Sequence, residues 1–201
     1  MKNMCKDYTV KQIEEAIQHW QEVLDKKLLE ESANEKDDED SLSKPMQKMI
    51  NRLVSAEWLA GNIYALFVTA LKKEDLPKVK ELLLDTSNDE LYDHLRSIVL
   101  KAEEYGFDVP SSYKEFTKHA DKADVKIFEN TKKKQDLLYY VDKVIELEER
   151  AIIDYENALE LDDVTSYPEL QIVFKSNYYD EKEHLESFKF IKYSLEALVE
   201  D

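Results

Sequence analysis

Glu181-Lys182-Glu183-His184 sets a carboxylate and an imidazole three residues apart, which puts both on one face of a helix. Stepping outward by alternating threes and fours collects Leu170, Phe174, Asn177, Glu181, His184, Phe188, Ile191, Leu195 and Leu198. Apart from Asn177, the stripe is apolar except at the Glu and the His, so it reads as the buried seam of one long helix. A carboxylate in such a seam is costly unless something compensates it. A metal ion shared with the neighbouring imidazole is one such compensation. In a chain this rich in Glu, a single Glu-x-x-His is weak by itself.

A partner segment lies upstream. Around Glu148 the same stepping gives Leu137, Val141, Val144, Glu148, Ala151, Tyr155 and Ala158, with Glu148 the sole charged member. His184 follows Glu148 by 36 residues, room for one long helix to finish, turn and bring its successor back alongside. The first half repeats this pattern. Its seam reads Ile50, Leu53, Glu57, Ala60, Tyr64, Phe67 and Leu71, again interrupted by one Glu. A Tyr stands seven residues after each Glu, at Tyr64 and Tyr155. His94 follows Glu57 by 37 residues, and Asp89-Glu90-Leu91-Tyr92-Asp93-His94-Leu95 echoes Asp180-Glu181-Lys182-Glu183-His184-Leu185 with one residue in excess. A repeat of two helix pairs is a stronger signal than either motif alone.

On these residues the chain resembles the ferritin-like superfamily of diiron-carboxylate four-helix bundles, bacterioferritin and rubrerythrin among them, over roughly residues 45–200. In that family two helices each give a Glu and two each give a Glu-x-x-His, all pointing into the bundle centre. The resemblance implies that Glu57 is the first Glu, Glu148 the second, and Glu181 with His184 one Glu-x-x-His, while His94 is the His of the other. The Glu expected three residues before His94 is Leu91. Two outcomes are open. A π-bulge absorbs the extra residue and swings Glu90 into the ligand position, as such bulges do at functional sites. Otherwise Leu91 removes one bridge and leaves a mononuclear or degenerate centre. In a regular helix Glu90, four residues before His94, still lies near its face. The implied metal set is Glu57, Glu90, His94, Glu148, Glu181 and His184. Iron is the implied cofactor, two ions if the site is intact, although carboxylate and imidazole also admit manganese or zinc. The same resemblance makes Asp154 a partner for a ligand His. Since the chain has no Cys-x-x-Cys, the rubredoxin module of a full rubrerythrin is not expected.

Composition agrees with an all-α chain: 2 Gly and 4 Pro in 201 residues, with 36% charged residues, favour long helices. The formal net charge of −17 argues against nucleic-acid phosphate and anionic membrane surfaces as partners. Cys5 is the single cysteine and has no intramolecular mate, so a reducing, cytoplasmic setting is expected. No segment reads as having the apolar length of a membrane span, and Met1-Lys2-Asn3-Met4-Cys5-Lys6 lacks the apolar core of a signal peptide.

The expected organisation is an amphipathic N-terminal helix within residues 1–29, an acidic linker over 30–44, and a ferritin-like bundle over 45–201. The helix, over 9–29, shows Val10, Ile13, Ile17, Trp20, Leu24 and Leu28 on one stripe. The linker carries a run of Glu and Asp that repels itself. Bundle helices are expected at about 45–73, 77–105, 133–161 and 168–199. Pro45, Pro77 and Pro168 mark three starts, and Gly106 marks a stop. Residues 107–132 are too long for a tight hairpin and read as the single long crossover.

The seam tyrosines either fill the core or donate from their hydroxyls to a ligand carboxylate one or two turns away. Trp20 and Trp58 read as packing anchors, His19 and His119 as structural or solvent-facing, and Glu146 and Glu149 as solvated. The function expected is a metal-binding ferritin-like protein, an iron-dependent oxidase of ferroxidase or peroxide-reducing type acting with O₂ or peroxide. A homo-oligomer or a docking partner held through residues 9–29 goes with it. The alternative is a structural or interaction protein with a degenerate metal site, docking through its N-terminal helix.

Overall fold

The computed structural model describes residues 42–71, 77–131 and 135–197. The helix expected over 9–29, and the acidic linker as far as residue 41, lie outside the described residues. Four long helices carry the fold. Helix α1 is Lys44–Ala70. Helix α2 covers 77–104, α-helical over Pro77–Asn88 and Leu95–Glu104 with a π-helical segment, Asp89–His94, between them. Two short helices, α3 (Tyr113–His119) and α4 (Lys122–Asn130), fill the crossover. Helix α5 is Leu137–Leu159, and a 3-10 turn, Val164–Ser166, leads into α6, Pro168–Ala197. Among the described residues there is no strand. The expected all-α bundle with one long crossover is what forms.

Local chemistry sets the ends. Ser43 Oγ accepts from the Met46 N–H at 3.1 Å, with Pro45 in the first turn, where its missing N–H costs nothing. Helix α2 stops on a Schellman motif: the Gly106 N–H donates to Glu103 O at 3.0 Å and the Phe107 N–H to Ala102 O at 2.9 Å. Gly106 sits at φ 82°, a conformation that only glycine adopts freely. Asp136 opens α5 by accepting from the Tyr139 N–H at 2.8 Å.

The apolar core divides into two clusters. One gathers Leu59, Ile63 and Phe67 of α1 with Leu83, Val144 and Phe188. The other gathers Ile50 and Leu53 with Ile98, Tyr155 and Phe174. On every long helix the seam carboxylates and histidines fall between the residues given to one cluster and those given to the other. The centre is therefore a polar layer closed above and below by hydrocarbon.

The crossover is pinned across α1. Trp58 stacks on Phe116 of α3 with ring centroids 4.6 Å apart, and lies 5.9 Å from Phe128 of α4; such pairs add about 0.5–1.5 kcal/mol each. Arg52 binds Asp154 of α5 at 2.7 Å and approaches Asp121, ahead of α4, at 3.8 Å. Contrary to the sequence reading, α1 is long and apolar enough to cross a membrane by length and composition. The physical reason is its position: it packs against α2, α3, α4 and α5, so apolar residues surround it, while Arg52 and Glu57 sit mid-length.

Candidate metal centre

All six seam residues meet in this layer. Glu57, Glu90, His94 and Glu181 form one set, and Glu90, Glu148, Glu181 and His184 a second. Within each set the ligand atoms lie within 4.8 Å of one another. Glu90 and Glu181 belong to both. All four carboxylates are 2% exposed or less.

The π-helical segment explains Glu90. An extra residue in one turn rotates the chain, so Glu90, four residues before His94, is buried beside it, with His94 Nδ1 and Glu90 Oε2 3.0 Å apart. Leu91, which would stand in the ligand register of a regular helix, is turned against Gly61 of α1. A Cβ on Gly61 would lie 2.5 Å from Leu91 Cγ and 3.1 Å from the Ser87 carbonyl oxygen. The Ser87 hydroxyl donates to Gly61 O at 2.8 Å and holds the two helices at that approach.

Both imidazoles turn Nδ1 inward. His94 Nδ1 lies 3.1 Å from Glu181 Oε1 and 3.7 Å from Glu57 Oε2. His184 Nδ1 lies 3.4 Å from Glu90 Oε1, 3.7 Å from Glu148 Oε2 and 3.9 Å from Glu181 Oε2. The Nε2 atoms face outward to aspartates, His94 to Asp180 at 3.5 Å and His184 to Asp89 at 3.4 Å. An Nε2–H held toward a carboxylate leaves the Nδ1 lone pair facing the cluster.

The tyrosine hydroxyls cross the bundle. Tyr64 donates to Glu148 Oε1 at 2.7 Å. Tyr155 donates to Glu57 Oε1 and accepts from Asn177 Nδ2 at 2.9 Å. The expectation that each serves a Glu one or two turns away on its own seam is corrected. Seven residues span about 10.5 Å of helix, whereas the antiparallel neighbour presents its Glu directly opposite. Asp154 is corrected too: it binds Arg52, not a histidine. The histidine partners are Asp89 and Asp180. Their signal was in the sequence, an Asp immediately before the Glu in both copies. Glu149 is exposed and Glu146 partly so, as expected; His119 is half-buried on α3, and His19 lies outside the described residues.

Burial dominates the electrostatics. It would lower His94, but the Glu90 charge and the contacts to Asp180, Glu181 and Glu57 carry the imidazole far above its usual range. His184 is raised likewise, against burial, by Glu148, Glu181 and Glu90. Burial and then Glu181 push Glu148 well up; burial and then Glu57 raise Glu90. Glu181 moves the other way: burial and Glu90 oppose its ionisation, but the two imidazoles beside it outweigh them. Protons therefore balance the cluster, on the same atoms that a cation would use.

The donor set fits a metal. Among the described residues Glu90 Oε1, Glu148 Oε2 and His184 Nδ1 are buried without a hydrogen-bond partner. They stand 3.4 to 3.7 Å apart around His184 Nδ1, too far for good hydrogen bonds. Ligands held about 2.1 Å from one ion are separated by roughly this much.

The rubrerythrin family model matches residues 48–192. Among solved structures, the chain is similar to the bacterioferritin-related protein of Bacteroides fragilis, described as a dodecameric thioferritin, with 16% identity, TM-score 0.66, and coverage of 78% of this chain and 89% of that one. It is also similar to M. penetrans ferritin, with 12% identity, TM-score 0.62, and coverage of 78% and 88%. These likenesses are of fold. No curated protein sequence matches significantly.

Proposed function

Because this chain belongs to the rubrerythrin family of ferritin-like, diiron-type metal-binding proteins, we propose that it holds two iron ions and works as an oxidase of ferroxidase or peroxide-reducing type. The proposed ligands are Glu57, Glu90, His94, Glu148, Glu181 and His184. The observation that carries the reading is the overlap of the two ligand sets at Glu90 and Glu181. Two shared carboxylates are the bridges that a pair of ions needs. Charge agrees: four carboxylates with neutral imidazoles offset two divalent cations in a layer where uncompensated charge is costly.

Bound iron would supply reversible one-electron chemistry for reducing O₂ or peroxide. The chain's own residues do the rest. Tyr64 and Tyr155 each occupy one oxygen of Glu148 and Glu57 and leave the other free to bind. Asp89 and Asp180 face the Nε2 atoms and fix the imidazole planes. The hydrocarbon layers keep bulk water out. A recess of about 240 Å³, lined by Asp89, Asp93, Asp180 and Glu183 outside the histidines, gathers cations by its charge. Assembly into a homo-oligomer, with residues 9–29 as a docking element, belongs to the same reading.

The test is elemental analysis of protein from iron-replete cells, followed by anaerobic Fe(II) titration of the metal-free form. Two irons per chain is the expected result. No iron bound, even after Fe(II) addition, would mean a scaffold with a decayed site.

A further inference from the structure

The end of the bundle where α2 begins and α6 finishes carries a groove that the metal centre does not use. It is about 300 Å³ in volume. Pro77 and Val79 of α2 and Phe190, Ile191 and Leu195 of α6 make its walls. Phe190 is 75% exposed, and Tyr193 in the next turn of α6 is 78% exposed. Two aromatic rings in water beside an apolar groove mark an interaction surface.

Charge says what kind of segment covers it. Lys78 is the single charged residue among those lining the groove. It is exposed and has no ion-pair partner among the described residues. The first turn of α2 holds no acid, so no side chain there offsets the positive end of the helix dipole. A groove of this character fits an apolar stripe that runs on into acid. The chain itself supplies one: the stripe from Val10 through Trp20 to Leu28, followed by the acidic run of residues 30–40.

Reach decides between copies. The Ser43 N–H, just ahead of α1, donates to the Tyr167 hydroxyl at the start of α6, whereas the groove lies at residues 190–195 of that helix. From Pro168 to Ile191 is about 35 Å of helix. Residues 30–41, drawn fully taut, cover about 40 Å. The stripe of the same chain would arrive with almost no slack, and the stripe of a neighbouring copy is under no such constraint.

We infer that the groove receives residues 9–29 of a second copy of this chain, with Trp20 as the anchor in the groove and the acidic run beside Lys78. An amphipathic segment docks in a groove through anchors spaced by threes and fours, and Ile13, Ile17, Trp20 and Leu24 keep that spacing. The inference rests on the assembly reading above, to which it adds the receiving surface, and is independent of the metal.

The experiment is light scattering on full-length proteins over a concentration series, with helical content by circular dichroism as the check on folding. Wild type should associate. Ser194→Trp fills the groove from an exposed position, Lys78→Glu reverses its charge, and Trp20→Asp removes the anchor. Each should weaken association about tenfold or more, as loss of a buried aromatic anchor or its pocket does. Combining Ser194→Trp with Trp20→Asp should cost no more than either alone, because both remove one contact. Unchanged association in Ser194→Trp and Lys78→Glu, with Trp20→Asp weakened, would overturn the groove and leave the assembly reading standing. Additive losses in the double variant would place Trp20 elsewhere and overturn it too. A monomeric wild type, or full association of Trp20→Asp, would overturn the assembly reading and the groove together.

Discussion

Gly61→Ala tests whether the approach of α1 to the π-helical segment holds Glu90 in place. In an open helix the change should stabilise by about 1 kcal/mol, because glycine is a poor helix former. Here the new Cβ would meet Leu91 Cγ at 2.5 Å and Cδ2 at 3.0 Å, an overlap that packed interiors resist at about 1–3 kcal/mol. The clash should win, with a net loss of about 1 kcal/mol. It must be relieved by moving the segment that carries Glu90 and His94, so metal affinity should fall at least tenfold. Leu91→Ala removes the two offending atoms and leaves the Ser87 carbonyl, at 3.1 Å, as the nearest of the remaining contacts. In that background Gly61→Ala should be neutral or stabilising and should restore metal affinity. The double-mutant cycle, by urea denaturation of the metal-free protein and anaerobic Fe(II) titration, should show a coupling of about 1–3 kcal/mol. Additivity within about 0.5 kcal/mol, with metal affinity unmoved in all four proteins, would refute the reasoning.

Glu148→Ala should abolish most metal binding while the metal-free protein melts no lower, because a fully buried carboxylate with one unpartnered oxygen is removed; unchanged iron content would show it is not a ligand. Asp124→Asn should alter the pH dependence of folding. Burial, only partly offset by Arg150, pushes Asp124 from 3.8 up to about 6, so its stabilisation is full below the unfolded value near 4 and is lost as pH rises through about 6, a swing on the order of 3 kcal/mol. The variant should therefore gain on wild type between pH 4 and 7, and a constant difference in denaturation free energy across that range would contradict it. Deleting residues 1–40 should leave iron stoichiometry intact and lower the molar mass by light scattering; loss of iron at unchanged mass would falsify the separation of roles.

Much of this was written in the chain because its signals are local. Few breakers give long helices, three apolar seams were legible along them, and a lone Glu in each of those seams marks a layer where burial must be compensated. The excess residue before His94 left two outcomes open, a π-bulge or a ligand lost at Leu91, and the π-helical segment Asp89–His94 is the one that forms. The unread parts depend on which helix faces which. Tyr64 and Tyr155 each sit seven residues from a Glu on the same seam, but the hydroxyls go to the Glu of the antiparallel partner. Periodicity along one helix carries no information about that partner. Asp154 fails for the same reason: its mate, Arg52, is 102 residues away on another helix. The apolar length of α1 misleads in the other direction, because burial against four neighbours and burial in lipid select the same residues.

The two helix pairs repeat one pattern of ligand residues, and their contacts are reciprocal: Tyr64 with Glu148 and Tyr155 with Glu57, Asp89 with His184 and Asp180 with His94. Reciprocity of this kind is what a local two-fold axis through the centre produces, so the departures from it identify what each half had to change. The inserted residue falls in α2 and not in α6, and the accommodation falls opposite it. Gly61 stands four residues after Glu57, where Leu91 presses in; four residues after Glu148 the chain has Ile152, because no insertion crowds α5. The buttress also differs. Asn177, four residues before Glu181, holds the Tyr155 hydroxyl, whereas Thr86, four residues before Glu90, has a buried hydroxyl with no partner among the described residues. Glu57 is thus held by a chain of two side chains and Glu148 by one. In the proposed centre Glu148 is therefore the less tethered of the two terminal carboxylates and the freer to shift, and its second oxygen is buried without a hydrogen-bond partner among the described residues.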